Sequence, residues 1–183
     1  MSDVIESILR TFDLRGDLAY GSEAVTQRQH ALQSATLAAA EQADSRLVAA
    51  ALLHDIGHIL DAAELPHGID TDLDDAHEER AYHWLLRHFG PAVADPVRLH
   101  VAAKRYLCTV DPGYAGKLSP TSFKSYLDQG GPMNPEERAD FEAEPHFEPS
   151  LRLRRWDDLA KDPAMATRTI ADFRPDLEQA LLA

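Results

Sequence analysis

The sequence predicts an all-α protein, a helical bundle with histidines and aspartates set along its helices. Three observations predict it. Apolar residues recur at intervals of three and four in segment after segment. Almost no stretch alternates in the manner of a strand. Ser, Asp, Gly and Pro stand where helices would start and stop.

The elements follow in order. Residues 4–14 carry Val4, Ile8 and Phe12 at helical spacing and stop at Gly16, which predicts a packing helix. Ser22 is a good N-cap for a helix over residues 23–42. Its small face, Ala31, Leu32, Ala35, Ala38 and Ala39, suits close packing, and His30 lies inside it. Residues 43–45 read as turn and cap. The apolar run 47–53 predicts a buried helix running into His54-Asp55, with Gly57 as its stop and His58 four residues after His54.

Residues 61–74 hold Pro, Gly and five acids, and read as a loop and a candidate lid in which His67 is exposed. Asp74 or Asp75 caps the next helix, which runs through Phe89 and stops at Gly90-Pro91. His77, Ala81, Trp84 and His88 share one stripe, so His77 faces inward. His88 lies about 16 Å further along the axis, too far to serve the same ion. His83 is off the stripe and solvated.

Asp95-Pro96 reads as N-cap and first residue of a helix on which Val97, His100, Val101 and Lys104 share a face. A lysine on the inward face beside a histidine is unusual in a core. It either snorkels at the helix end or receives an anion. Residues 108–118 read as loop. Ser119-Pro120-Thr121-Ser122 starts a helix whose free N–H groups suit an anion, with Ser122 in the first turn. Gly130-Gly131-Pro132 breaks the chain, and Asn134-Pro135 caps a short acidic helix. Glu148 and Pro149 lead into a helix where Trp156 packs and Asp157 or Asp158 points inward. A last helix, 167–182, is interrupted by Pro175.

At 183 residues, the chain is expected to form a single domain over 1–183. The net charge of −13 opposes nonspecific contact with nucleic acid or an anionic membrane. No apolar run reaches the ~18 residues of a membrane span, and the acidic N-terminus has no signal-peptide pattern, so the expected location is cytoplasmic. The single cysteine, Cys108, excludes an intramolecular disulfide and a Cys-rich metal site, and reads as a buried thiol.

His30, His54, Asp55, His77 and His100, with one of the Asp157-Asp158 pair, exceed what one ion needs. They suit two ions bridged by Asp55 at about 3.5–4 Å. Imidazole with carboxylate suits iron, zinc, manganese or nickel. Such a pair supports either phosphoester hydrolysis or oxygen activation.

The constellation His30…His54-Asp55…Asp157 resembles the HD-domain superfamily, an all-helical fold, and the added His77 and His100 resemble its dinuclear branch. From about residue 20 to 161 the chain resembles the small HD-domain organophosphonate oxygenases of the 2-amino-1-hydroxyethylphosphonate dioxygenase type. The resemblance implies a mixed-valent Fe(II)/Fe(III) site using O2. One iron would be held by His30, His54 and Asp157, the other by His77 and His100, with Asp55 bridging. Asp157 is chosen over Asp158 because the family pattern is an aromatic residue, Asp, then Lys four later, here Trp156, Asp157 and Lys161.

Tyr20 and Glu23 match a Tyr-x-x-Glu element of the oxygenases. The tyrosine would close an iron site until substrate arrives, and the glutamate would lie near the substrate's cationic end. His58, Lys104 and Ser122 match positions that support the metal ligands or bind the phosphonate. The implied partner is a small organophosphonate, a 1-hydroxy-2-(amino or trimethylammonio)ethylphosphonate cleaved to glycine or glycine betaine and phosphate. Two alternatives stand beside it: a two-metal phosphohydrolase on the same ligands, and a regulatory module without turnover. Tyr20 and Glu23 disfavour the first, and the complete ligand set disfavours the second.

Overall fold

A computed structural model describes residues 2–60 and 76–182, with side chains from 3–60 and 81–182. The expected loop 61–74, its His67, the Asp74/Asp75 cap and the His77 side chain lie outside these described residues. The fold is all-α. Among the described residues the β structure is one isolated antiparallel bridge, Ala19 to Thr26.

The first helix, α1 (Ser2–Arg15), buries Ile5, Ile8 and Phe12, with Val4 packed at the edge of the core. It ends at Gly16, where a Cβ would sit 2.4 Å from the Phe12 carbonyl oxygen. The second helix starts later than the Ser22 reading expects. Thr26 is its N-cap, in a capping box with Gln29, and α2 spans Gln27–Ala40. Residues 19–26 instead form a tight loop around the bridge, with Tyr20 N–H bonded to Val25 O at 3.1 Å and Gly21 at φ 55°. Ser22 reaches across to Thr121 at 2.6 Å. A pairing distant in sequence thus decided between two competent hydroxyl caps.

Asp44 caps α3 (Ser45–Leu53), accepting from Leu47 N–H at 2.9 Å. Residues 47–53 are all buried, as their apolar run expects. Regular helix stops at Leu53, before His54-Asp55, and a 3₁₀ turn, Ile56–His58, follows. Gly57 lies inside that turn, so it is not the helix stop. His54 keeps helical backbone angles as the C-cap of α3, and the chain leaves the helical spiral at Asp55.

Helices α4 (Ala76–Phe89) and α5 (Pro91–Val110) meet at Gly90, φ 77°. Pro91, not Pro96, is the first residue of α5; Pro96 is internal and Asp95 is no cap. Asp95 instead pairs with His146 at 2.9 Å. The helix continues to Val110, so the expected loop at 108 begins at 111. Ser119 caps α6 (Pro120–Asp128), and Asn134 caps α7 (Pro135–Glu142) with Glu137 closing the box. Glu148 and Pro149 lie in the first turn of α8 (Phe147–Leu159). Pro175 lies in the first turn of α9 (Arg174–Ala180), after a 3₁₀ turn, Ile170–Phe173, rather than interrupting a longer helix.

The main core gathers around α3, where Leu52, Leu53, Trp156, Phe173 and Leu177 are almost wholly buried. Each such apolar side chain contributes about 1.5–3 kcal/mol. A smaller core of Leu99, Leu107, Met133, Phe141 and Leu151 seats α7 on α5 and α8. α2, α3, α5 and α8 pack on one another, and the candidate site lies where they meet.

Candidate metal centre

His30 projects from the first turn of α2, His54 from the end of α3, His100 from the middle of α5, and all three are buried. Each ring gives its Nδ1 to a carbonyl: His30 to Ala160 at 2.8 Å, His54 to Ala51 at 2.9 Å, His100 to Val97 at 2.6 Å. A carbonyl only accepts, so each Nδ1 carries the proton. In a neutral ring this leaves the Nε2 lone pair for a metal, as at a metal-bound histidine whose other nitrogen donates to a carbonyl.

The Nε2 atoms of His30 and His54 face each other at 3.0 Å. Asp55 Oδ2 lies 3.5 Å from both. Asp157 Oδ1 lies 3.4 Å from His30 Nε2 and 3.9 Å from His54 Nε2. That oxygen is buried without a hydrogen-bond partner. The donor atoms of His30, His54 and Asp55 lie within 4.8 Å of one another. Two imidazole nitrogens and two carboxylate oxygens around one point repel unless a cation or shared proton lies between them, so the residues fit a metal ion. Asp158 faces away from this point, toward Arg154 and Tyr114.

The electrostatics agree. Burial pushes the His30 imidazole down, but the Asp157 and Asp55 carboxylates more than offset it and hold it above its ordinary value. Burial holds His54 below its own. Burial would raise Asp157, yet the Arg154 guanidinium and the His30 ring keep it well below the carboxylate range. Asp55 is likewise held low by His54, His30 and His58 against its burial.

The His100 ring meets the His54 ring edge-on, centroids 5.7 Å apart. His100 and Asp55 open onto a cleft of about 470 Å³. His77 lies on α4, which packs against the 3₁₀ turn following Asp55. Tyr20 stacks on His30 at 3.8 Å and 15°. Burial, then Asp55 and Asp157, raise its phenol well above its ordinary value, so it keeps its proton.

The expected Tyr20, Glu23, His58, Lys104 and Ser122 all line this cleft. Lys104, 3% exposed, donates to Ser125 at 2.7 Å. Burial, with Arg154 and Lys161 nearby, lowers its ammonium to about 8. Glu23 accepts from Ser119 at 2.5 Å. His58 is exposed at the cleft wall.

Sequence reasoning assigned no site role to Arg154, Lys161, Ser119 or Ser125. Lys161 donates to Ser122 Oγ at 2.7 Å and lies 3.9 Å from Glu23. It entered only as a motif marker. The spacing of Arg154 three and four residues before two aspartates was a readable signal.

Residues 28–124 match the HD domain family. The chain is 39% identical over 177 residues to the 1-hydroxy-2-(trimethylamino)ethylphosphonate dioxygenase (glycine-betaine-forming) of Leisingera caerulea, covering 97% of this chain and 90% of that one. The chain belongs to the HD-domain family. A hydroxymethylphosphonate dioxygenase of Gimesia maris is 40% identical over 180 residues, 96% of this chain and 89% of its own. An uncharacterised protein of Acanthamoeba polyphaga mimivirus is 34% identical over 158 residues, 86% of this chain and 72% of its own. This HD-domain protein is an oxygenase, an enzyme that uses a metal and dioxygen on a small molecule. None of its described helices is long and apolar enough to cross a membrane.

Proposed function

We propose that the enzyme cleaves the C–P bond of a 1-hydroxyphosphonate with O2, releasing a carboxylic acid and phosphate. The reading carries the expected substrate, 1-hydroxy-2-(amino or trimethylammonio)ethylphosphonate, with glycine or glycine betaine as product. One O2 per substrate balances the atoms: the carbon gains an oxygen and loses phosphorus, and phosphorus leaves as phosphate. The observation that carries this reading is a juxtaposition. The candidate ligands Asp55, His100 and Asp157 line the same cleft of about 470 Å³ as Lys104, Ser122 and Ser125.

The proposed anion seat is built from two lysines and the start of α6. Lys104 and Lys161 approach Ser125 and Ser122, respectively. Ser122 N–H is already given to Ser119. A phosphonate entering there would exchange its water for these cations and hydroxyls, which offsets its desolvation. His58, which lines the same cleft, would bind it as well.

His30, His54 and Asp157 would hold one iron, His77 and His100 the other, with Asp55 between them. The Fe(II)/Fe(III) pair would supply the electron transfer to dioxygen that no side chain here provides. The chain's own part is positioning. It aims three Nε2 lone pairs by fixing three Nδ1 protons. It holds the 1-hydroxyl carbon next to the centre by gripping the phosphonate. Tyr20, stacked on His30, would cover the centre before substrate enters, and Glu23 would face a cationic tail.

The test is phosphate release by iron-reconstituted protein with each of three 1-hydroxyphosphonates, bearing amino, trimethylammonio or no tail, with and without oxygen. Release only with oxygen, matched by oxygen uptake, is expected. Turnover of phosphoesters without oxygen, and none of the phosphonates, would replace this reading with the phosphohydrolase.

A further inference from the structure

Asp157 presents two oxygens to two different partners. Oδ1 is unpartnered and faces His30 Nε2 at 3.4 Å. Oδ2 accepts from Arg154 Nη1 at 2.7 Å. Arg154 is 4% exposed, so its own geometry must be fixed by protein. Asp158 fixes it. Arg154 Nε donates to Asp158 Oδ2 at 2.9 Å, and Nη2 donates to the other oxygen. Tyr114 then donates its hydroxyl to Asp158 Oδ2 at 2.8 Å, and Lys161 lies 3.7 Å from Oδ1. The two neighbouring aspartates therefore hold one guanidinium from two sides.

We propose that Arg154 is a positioning residue that makes Asp157 a one-oxygen metal ligand, with Asp158 and Tyr114 locking the guanidinium in place. The inference rests on the metal-centre reading above. Its physical basis is competition. A carboxylate beside a cation can chelate with both oxygens or donate with one. A buried arginine bonded to Oδ2 removes the chelating mode and turns Oδ1 toward the imidazoles. It also balances ligand charge in a site already crowded with carboxylate. A lysine could supply the charge but not the planar fork that meets both aspartates at once.

The test measures metal directly. Fe(II) and Mn(II) are titrated into metal-free protein by calorimetry, and the Mn(II) form is studied by electron paramagnetic resonance. In Asp158→Asn the guanidinium loses its charged anchor. We expect metal affinity to fall about tenfold or more, the range for outer-shell partners of metal ligands. We also expect a changed Mn(II) zero-field splitting as Asp157 gains the freedom to chelate. A merely structural role would lower the melting temperature without moving that splitting. Tyr114→Phe, which leaves Arg154 and both aspartates in place, should shift both readouts the same way by less. Arg154→Lys should not restore the wild-type spectrum.

Wild-type affinity and spectrum in Asp158→Asn overturn the proposal. If Asp158→Asn does not fold, the same result in Tyr114→Phe overturns it. Wild-type protein that takes up neither ion would overturn the metal reading instead, before any variant is made.

Discussion

Lys104 on α5 donates to Ser125 on α6 across 2.7 Å, from a position only 3% exposed. Its ammonium is charged below pH about 8 and loses the proton above that. With phosphonate binding dependent on that charge, kcat/KM is expected to fall as pH rises through about 8. Lys104→Arg should move this limb to higher pH, and Lys104→Ala should raise KM about tenfold or more, the scale of a lost charge-assisted bond. Metal content should be unchanged. An unaltered KM would exclude a direct contact. Folding lowers this lysine from 10.5 to about 8. The unfolded chain therefore binds more protons between those values, and the group favours folding increasingly as pH rises through that window.

Asp55 Oδ2 is equidistant from His30 and His54 Nε2 at 3.5 Å, and Asp55 also opens onto the cleft with His100. Asp55→Ala is expected to abolish binding of the metal pair. Metal equivalents per chain after iron reconstitution check it. Two full equivalents in the variant would remove Asp55 from the bridging role.

Tyr20→Phe keeps the ring that stacks on His30 and removes the hydroxyl near Asp55. The expected result is full metal uptake with faster oxidation of the iron in air before substrate is added. Identical oxidation rates in variant and wild type would deny the hydroxyl a shielding role.

Gly90 sits at φ 77°, and a Cβ there would meet Leu182 at 3.1 Å. Gly90→Ala is expected to destabilise the fold by about 1–2 kcal/mol through the left-handed backbone. Iron uptake should be unaltered, since the residue lies at the α4–α5 junction rather than in the cleft. Thermal denaturation and metal analysis together check this.

What was legible followed from periodicity and local chemistry. Val97, His100 and Lys104 share an inward face because i, i+3 and i+7 do so on any helix. Ser119 and Asn134 were readable as caps because each precedes a proline at a helix start. What was not legible depended on distant partners. Thr26 displaced Ser22 as the cap because residues 19–26 pair with each other and Ser22 is bound by Thr121. Pro96 looked like a helix start, but Gly90-Pro91 had already begun one, so α5 runs through it. The candidate ligands could be picked out one at a time. The clamp of Arg154 on two aspartates was readable from its spacing along α8, whereas Tyr114 on Asp158 and Lys161 on Ser122 needed distant segments brought together.

The hydrogen bond from His30 to the carbonyl of Ala160 joins residues 130 positions apart. It has a consequence for the order in which the protein matures. A growing chain makes His30, His54 and Asp55 early, but Asp157 and the carbonyl that fixes the His30 proton come near the end of synthesis. Until then, His30 has neither its tautomer nor its carboxylate neighbour. A nascent chain can fold α1 to α3 and still be unable to trap the ion productively. On the proposed ligand set, an ion would therefore meet its full set of donors only once α8 has docked.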